Sequence, residues 1–245
     1  MVRELVDRRP WFVRLTHQFG RIVIPLMTHV HLEGLERADL PRTGSLIIAS
    51  NHISNADPGL IGSWVSPALG RQLHWLGKEE SLRWPLLGWA IAENGVIGVR
   101  RGTGDIEAFR LARRVLDEGH VLVVFPEGTR SRTASLQEAK DGVAILALRT
   151  GAPILPIGIH GTEHFWPRGK LPWFRGGDVT LRVGAPFRVD PAIGGDRKAA
   201  QRAGTETIMR HISELLPVSY RGAYPLGVDG DAVHASGPVS APPMT

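Results

Sequence analysis

A histidine and an aspartate stand five positions apart in Asn51-His52-Ile53-Ser54-Asn55-Ala56-Asp57-Pro58. Histidine is the side chain best suited to take a proton near neutral pH, and a neighbouring carboxylate fixes its tautomer and stabilises the imidazolium. His52 and Asp57 are therefore candidates for a general base and the acid that orients it. A regular helix does not bring residues five apart onto one face, so a turn has to fold Asp57 back onto His52. Ser54, Asn55 and Asp57 suit such a turn or a helix N-cap. The same residues also suit a capped strand-to-helix junction whose histidine is idle, and this stretch alone leaves both readings open.

Two other polar stretches follow apolar runs. Arg100 and Arg101 come directly after residues 95–99, and Pro126-Glu127-Gly128-Thr129-Arg130-Ser131-Arg132 comes directly after residues 121–125. Arginine matches a phosphate in charge and in its bidentate fork. Gly128 lets backbone amides approach an anion closely. Taken singly, Arg100 and Arg101 also read as a solvated pair, and Glu127 as a helix cap.

The elements that must position these residues are visible in the hydrophobic pattern. Leu46-Ile47-Ile48-Ala49 reads as a buried strand running into the His52 turn. A helix over about residues 58–65 follows, with proline near its start, where it is tolerated. Residues 30–33 and 72–76 read as short strands, and residues 95–99 as a glycine-bearing one. Residues 121–125 are apolar throughout, as in a strand covered on both faces. Ile106, Phe109, Ala112 and Leu116 share one face of a helix that Gly119 stops. A helix over about residues 140–149 leads to a strand at 154–159. Residues 179–183 alternate with polar ones, as on a sheet edge, and a last helix begins near Asp196. This is an α/β pattern, a mostly parallel central sheet flanked by helices. Such sheets bind ligands beyond the carboxyl ends of their strands, which would gather all three polar stretches in one cleft.

The ends of the chain read differently. In residues 1–28, Trp11, Phe12, Leu15, Phe19, Ile22, Val23 and Leu26 recur at helical spacing, with Arg8, Arg9, Arg14, His17 and Arg21 on other faces. Such an amphipathic helix lies in a lipid interface or packs on the domain's own core. The apolar stretch 81–89, with Trp84 and Trp89, is either core or a second patch for lipid or an acyl chain. Residues 29–219 are the expected catalytic domain. Residues 220–245, rich in Gly, Pro, Ser and Ala, are the expected disordered tail.

Composition narrows the function. The chain has 245 residues, 42% of them apolar, and no cysteine, which excludes disulfides, a thiolate nucleophile and cysteine-based metal sites. Its charge of +5, with arginine outnumbering lysine, suits phosphorylated substrates, anionic lipid or nucleic acid. No run approaches the roughly 18 apolar residues of a membrane span, and the charged start does not read as a secretory signal. Membrane contact is thus expected to be peripheral, at the cytoplasmic face. Walker, zinc-finger and RNP-type motifs are missing, so nucleic acid is not an expected partner. Gly-x-Ser-x-Gly is missing too, so a serine acyl-enzyme has no support. His160 and His164 flank Glu163, but Gly161 disfavours a helix there and no third ligand is evident, so no metal is expected.

Four ordered blocks resemble those of the glycerolipid acyltransferases over about residues 32–187. They are Asn51-His52-x4-Asp57, Gly95-x-Ile97-x-Val99-x-Arg101, Phe125-Pro126-Glu127-Gly128-Thr129-Arg130-Ser131 and Ile154-Leu155-Pro156-Ile157. The resemblance implies that His52 deprotonates an acceptor hydroxyl while Asp57 orients it. It implies that Arg101, Glu127, Gly128, Thr129 and Arg130 hold the acceptor's phosphate and glycerol, and Asn51 and Arg100 complete the expected substrate-binding set. The implied donor is an acyl thioester, acyl-CoA or acyl-carrier protein. The implied acceptor is a lysophospholipid, with 1-acylglycerol 3-phosphate the first expectation, and no cofactor is called for. Lys78 and Lys140 fall where the family often carries lysine, and Arg100 doubles a charge that is single in many relatives. Another lysolipid or glycerol 3-phosphate is the alternative acceptor. A non-catalytic anionic-lipid-binding protein is the competitor from a different class, and it would need neither His52 nor Asp57.

Overall fold

In the computed structural model, which describes residues 9–37, 39–99, 104–167, 177–190 and 196–226, the strand Leu46–Ser50 (β2) is buried at every residue. It carries apolar side chains to both faces of a seven-stranded sheet. Its neighbours are β5 (Val121–Val124) and β6 (Ile154–His160). Beyond β5 lie β3 (Leu73–Lys78) and β4 (Val96–Val99), and beyond β6 lie β7 (Asp178–Val183) and β1 (His29–Glu33). Among the strands of the described residues, only the pairing of β6 with β7 is antiparallel.

Helices cover both faces. Leu46 and Ile48 pack with Leu60, Ile61, Trp64, Val65 and Leu69 of α2 (Asp57–Leu69). Ile47 and Ala49 pack on the other face with α4 (Gly104–Asp117), α5 (Gly142–Thr150) and α7 (Arg197–Glu214) through Val115, Ala144 and Ile208 among others. Burying each large aliphatic side chain contributes about 1.5–3 kcal/mol, and that spread over two faces is why β2 has no polar residue before Ser50. Asp196 caps α7, accepting from the backbone N–H groups of Lys198 and Ala199, at the place the sequence indicates.

Two expectations are corrected. The polar alternation of β7 does not mark an edge, because β7 lies between β1 and β6, and its Arg182 pairs with Glu33 on β1. The edge strand on that side is β1, largely exposed. The expected tail also begins later than residue 220. Arg221 is buried, Leu136 and residue 220 share a backbone hydrogen bond, and the Tyr224 hydroxyl accepts from the Ala139 N–H. The rest of that expected tail, residues 227–245, lies outside the described residues.

Helix α1 (Pro10–Met27) docks on α2 through the face that carries Val13, His17, Gly20 and Ile24. Gly20 sits so close to Ser63 that a Cβ there would meet its Oγ at 2.1 Å. The apolar stripe Trp11, Leu15, Phe19, Ile22 and Leu26 faces outward, with Leu26 77% exposed. The 3-10 turn Glu79–Arg83 and α3 (Leu87–Glu93) continue that surface. Trp84, Leu86, Leu87 and Trp89 are exposed, so this stretch is not core. Phe12 packs against Trp89, with ring centroids 4.5 Å apart, and the Arg9 guanidinium lies over the Trp89 ring. Among the described residues no helix is long and apolar enough to cross a membrane.

Candidate active site

Strand register brings the polar loops together. Ala49 stands beside Val124, so β2 and β5 finish nearly level at their carboxyl ends, while β6, whose Ile157 stands beside Ser50, runs on to His160. The loop from residue 51 to 56 then folds over the start of α2, and Asp57, the first residue of that helix, turns its carboxylate back into the loop. The five-residue offset is bridged in this way. Asp57 is fully buried and accepts hydrogen bonds on both oxygens. Oδ2 takes His52 Nδ1–H at 2.7 Å and the backbone N–H groups of Ile53 and Ser54 at 2.8 Å each, while Oδ1 takes the Thr162 hydroxyl at 2.6 Å.

Because Nδ1 donates to Asp57, Nε2 is the nitrogen left to take a proton. The His52 ring stacks on Phe125, centroids 4.0 Å apart and planes 16° from parallel. Its side chain is 17% exposed, open at one edge and held at the other. The turn after β5 clamps the His52 backbone from both sides. Glu127 Oε1 accepts from the His52 N–H at 3.0 Å, and the Ser131 N–H donates to the His52 carbonyl at 2.7 Å.

The predicted substrate-binding residues divide. Asn51 is buried, and its amide ties β2 to β6: Nδ2 donates to the Ile159 carbonyl and Oδ1 accepts from the Ile159 N–H. Glu127 is likewise buried, and Oε2 accepts from the Gln137 backbone and side chain. Through these bonds both residues brace the His52 loop. Burial pushes the Glu127 carboxyl above the usual carboxylate range, and hydrogen bonds from His52 and Gln137 oppose that rise. Gly128 and Thr129 are exposed beside the His52 loop, and Arg130 is half-buried. Gly128 has φ +71°, and a Cβ there would meet the Lys140 side chain at 3.5 Å. Arg100 and Arg101 lie outside the described residues; β4, which leads to them, finishes at the same sheet edge.

Other groups do different work. The Ser54 hydroxyl donates to the Trp166 carbonyl at 2.8 Å. Glu163 accepts from the Tyr220 hydroxyl at 2.5 Å, and the His160 ring lies against Tyr220. Burial and the Glu163 carboxylate both hold the Tyr220 phenol far above its ordinary range. Among the described residues no group of three or more His, Asp or Glu is placed to hold a metal. Residue type and spacing did not single out Phe125, Ser131, Gln137 or Thr162 as supports. Phe125 and Ser131 at least fall inside the third block, whereas Thr162 is 105 positions from Asp57.

A mostly parallel α/β sheet thus carries an oriented histidine at its strand ends, beside a turn that bears Gly128 and Arg130. Residues 29–160 match the family model Acyltransferase, and the chain belongs to that family. It is 31% identical over 185 residues to the lyso-ornithine lipid O-acyltransferase of Pseudomonas aeruginosa, which covers 74% of this chain and 67% of that protein. It is 29% identical over 158 residues to a chloroplastic 1-acyl-sn-glycerol-3-phosphate acyltransferase of Brassica napus, 64% of this chain but 43% of the relative. The chain thus spans under half the length of that plant relative. The crystal structure of the 1-acyl-sn-glycerophosphate (LPA) acyltransferase PlsC from Thermotoga maritima aligns with a TM-score of 0.65 and 28% identity, covering 84% of this chain and 81% of that one.

Proposed function

We propose that the protein transfers a fatty acyl group from an acyl thioester, acyl-CoA or acyl-carrier protein, to a lysophospholipid hydroxyl, first of all that of 1-acylglycerol 3-phosphate. The observation that carries this is the hydrogen-bonded His52–Asp57 pair, with Nε2 free to take a proton beside the exposed Gly128 and Thr129. An aliphatic hydroxyl is a weak nucleophile at neutral pH, whereas a thioester has a good leaving group, so a positioned base is the main requirement. His52 Nε2 takes the hydroxyl proton as the oxygen attacks the thioester carbonyl carbon. The resulting tetrahedral species expels the thiolate, and the imidazolium returns the proton to sulfur. The products are an ester and a free thiol, and the thioester supplies all the activation, so no cofactor enters. Arg130, together with Arg100 and Arg101, supplies positive charge for the acceptor phosphate.

The outward stripe of α1 and the adjoining tryptophans support a peripheral seat on the cytoplasmic face of a membrane, where acceptor and thioester donor meet. Tryptophan and arginine together suit the headgroup boundary. Replacing Phe19 and Leu26 by aspartate weakens binding to anionic vesicles by about tenfold or more in a sedimentation assay, while unfolding of the sheet in solution is unchanged. Equal vesicle binding by the double variant refutes this seat.

The reaction is tested by thiol release from palmitoyl-CoA and oleoyl-CoA with lysophosphatidate, lyso-ornithine lipid, glycerol 3-phosphate or no acceptor. Release that depends on lysophosphatidate is the expected result. The second reading, another acceptor, is favoured by the likeness to the Pseudomonas aeruginosa protein, and preference for lyso-ornithine lipid would establish it. Vesicle binding without turnover on any acceptor or donor would leave the lipid-binding reading.

A further inference from the structure

We propose that Thr162 is a positioning residue for the acyl-transfer step, the group that keeps Asp57 turned so that one of its oxygens stays on His52. This rests on the reading of His52 as the base. Asp57 meets four donors unequally: three crowd Oδ2 and one, the Thr162 hydroxyl, holds Oδ1. The terminal torsion of aspartate is soft and roughly two-fold. Without a donor on Oδ1, the buried carboxylate would turn to share the Oδ2 donors between its oxygens, and the shared geometry would move the acceptor of the His52 Nδ1 proton. Leaving a charged acceptor unpaired in a buried site is the costly alternative.

Thr162 is built to hold its place. It is 1% exposed, and its β-branched side chain has few rotamers. The chain leaves β6 through Gly161 at φ +89°, where a Cβ would meet the Asp178 carbonyl at 2.0 Å, so the turn into the short helix α6 (Thr162–Phe165) is closely constrained. That helix is joined to the His52 loop again at its far end, where the Trp166 carbonyl accepts the Ser54 hydroxyl. The Thr162 hydroxyl does not cap α6: the cap position is Gly161, with no side-chain capping bond. The hydroxyl donates instead to Asp57. A threonine needed only for helix shape would not point its hydroxyl at a carboxylate from another element.

The test compares Thr162→Val, which keeps shape and removes the hydroxyl, with Thr162→Ser, which keeps the hydroxyl. The readouts are kcat and acceptor KM for thiol release, melting temperature, and the proton NMR resonance of His52 Nδ1–H, assigned by its loss in His52→Ala. Thr162→Val is expected to lower kcat about tenfold, the worth of one hydrogen bond to a charged group, with KM unchanged and the Nδ1–H resonance shifted or broadened. Thr162→Ser is expected to retain wild-type kcat and resonance. Wild-type kcat and an unmoved resonance in Thr162→Val overturn the inference. So does a tenfold loss of kcat in Thr162→Ser, which also decides the case if the valine protein fails to fold. Absence of His52-dependent turnover in the wild type would refute the base reading instead, and the resonance would still report whether Thr162 orients the pair.

Discussion

His52→Ala loses acceptor-dependent thiol release by roughly 10²- to 10⁴-fold, the worth of a positioned general base, and keeps the fold. The loss follows from geometry. Nδ1 is committed to Asp57, so Nε2 is the nitrogen available to the hydroxyl, and no other described residue is held in the same place by a carboxylate, a stacked ring and two backbone clamps at once. The fold persists because the ring lies at the edge of the core. Its main packing is the stack on Phe125, worth about 0.5–1.5 kcal/mol, while the bonds to Glu127 and Ser131 run through its backbone and survive the substitution. Circular dichroism and thermal unfolding report the fold, and thiol release reports the chemistry. Retention of more than about a tenth of the wild-type rate would remove His52 from the mechanism.

The second large effect comes from a residue that braces the backbone of the base. Glu127 faces three N–H donors, His52 N–H on Oε1 and both groups of Gln137 on Oε2. A carboxylate satisfies all three, whereas glutamine can present only one oxygen. In Glu127→Gln the amide must turn its NH₂ either toward the His52 N–H or toward Gln137, leaving donors opposed. That costs about 1–3 kcal/mol of stability and loosens the clamp on the base. A displacement of the base on the order of 1 Å lowers kcat by about 10²-fold. Melting temperature and kcat measured together check both halves, and a variant with wild-type kcat would show that Glu127 does not position His52.

The same substitution carries a pH signature. Burial raises the Glu127 carboxyl above its ordinary value, so the folded protein holds this proton more tightly than the unfolded chain does. Its contribution to stability is therefore fully present below the ordinary glutamate pKa, and it is lost as pH rises through the folded value. Glu127→Gln has no such group, so its stability relative to wild type improves as pH rises across that acidic window. Denaturant unfolding at a series of pH values measures the difference, and a constant gap between the two proteins would contradict it.

How far the chain could be read from its residues depends on how local each feature is. The strand over residues 46–49, the helix started by Asp196 and the stop at Gly119 depend on side chains and backbone within a few positions, and they stand where the sequence puts them. The pair His52 and Asp57 was legible for the same reason: a short polar turn must fold the second onto the first. Local chemistry could not say what Asn51 and Glu127 do. Each is a polar residue at a strand end, and only the register of β2 against β5 and β6 turns the amide onto Ile159 and the carboxylate onto the His52 backbone.

Amphipathic periodicity identified α1 but not which face the protein would cover. The close packing of Gly20 on Ser63 and the burial of Val13 left the aromatic stripe outside. The alternation of β7 matched an edge strand because Arg182 looks solvent-facing in sequence, while in the sheet it meets Glu33 on a strand nearly 150 residues earlier. Thr162 had no signal at all. By itself the sequence determined the hydrogen-bonded pair of His52 and Asp57, the α/β class and the order of the four blocks, because those depend on residue type and short spacing. Tertiary structure alone decided which residues hold the pair in place, since hydrogen-bond partners contributed by three different strand ends become neighbours only when the sheet assembles.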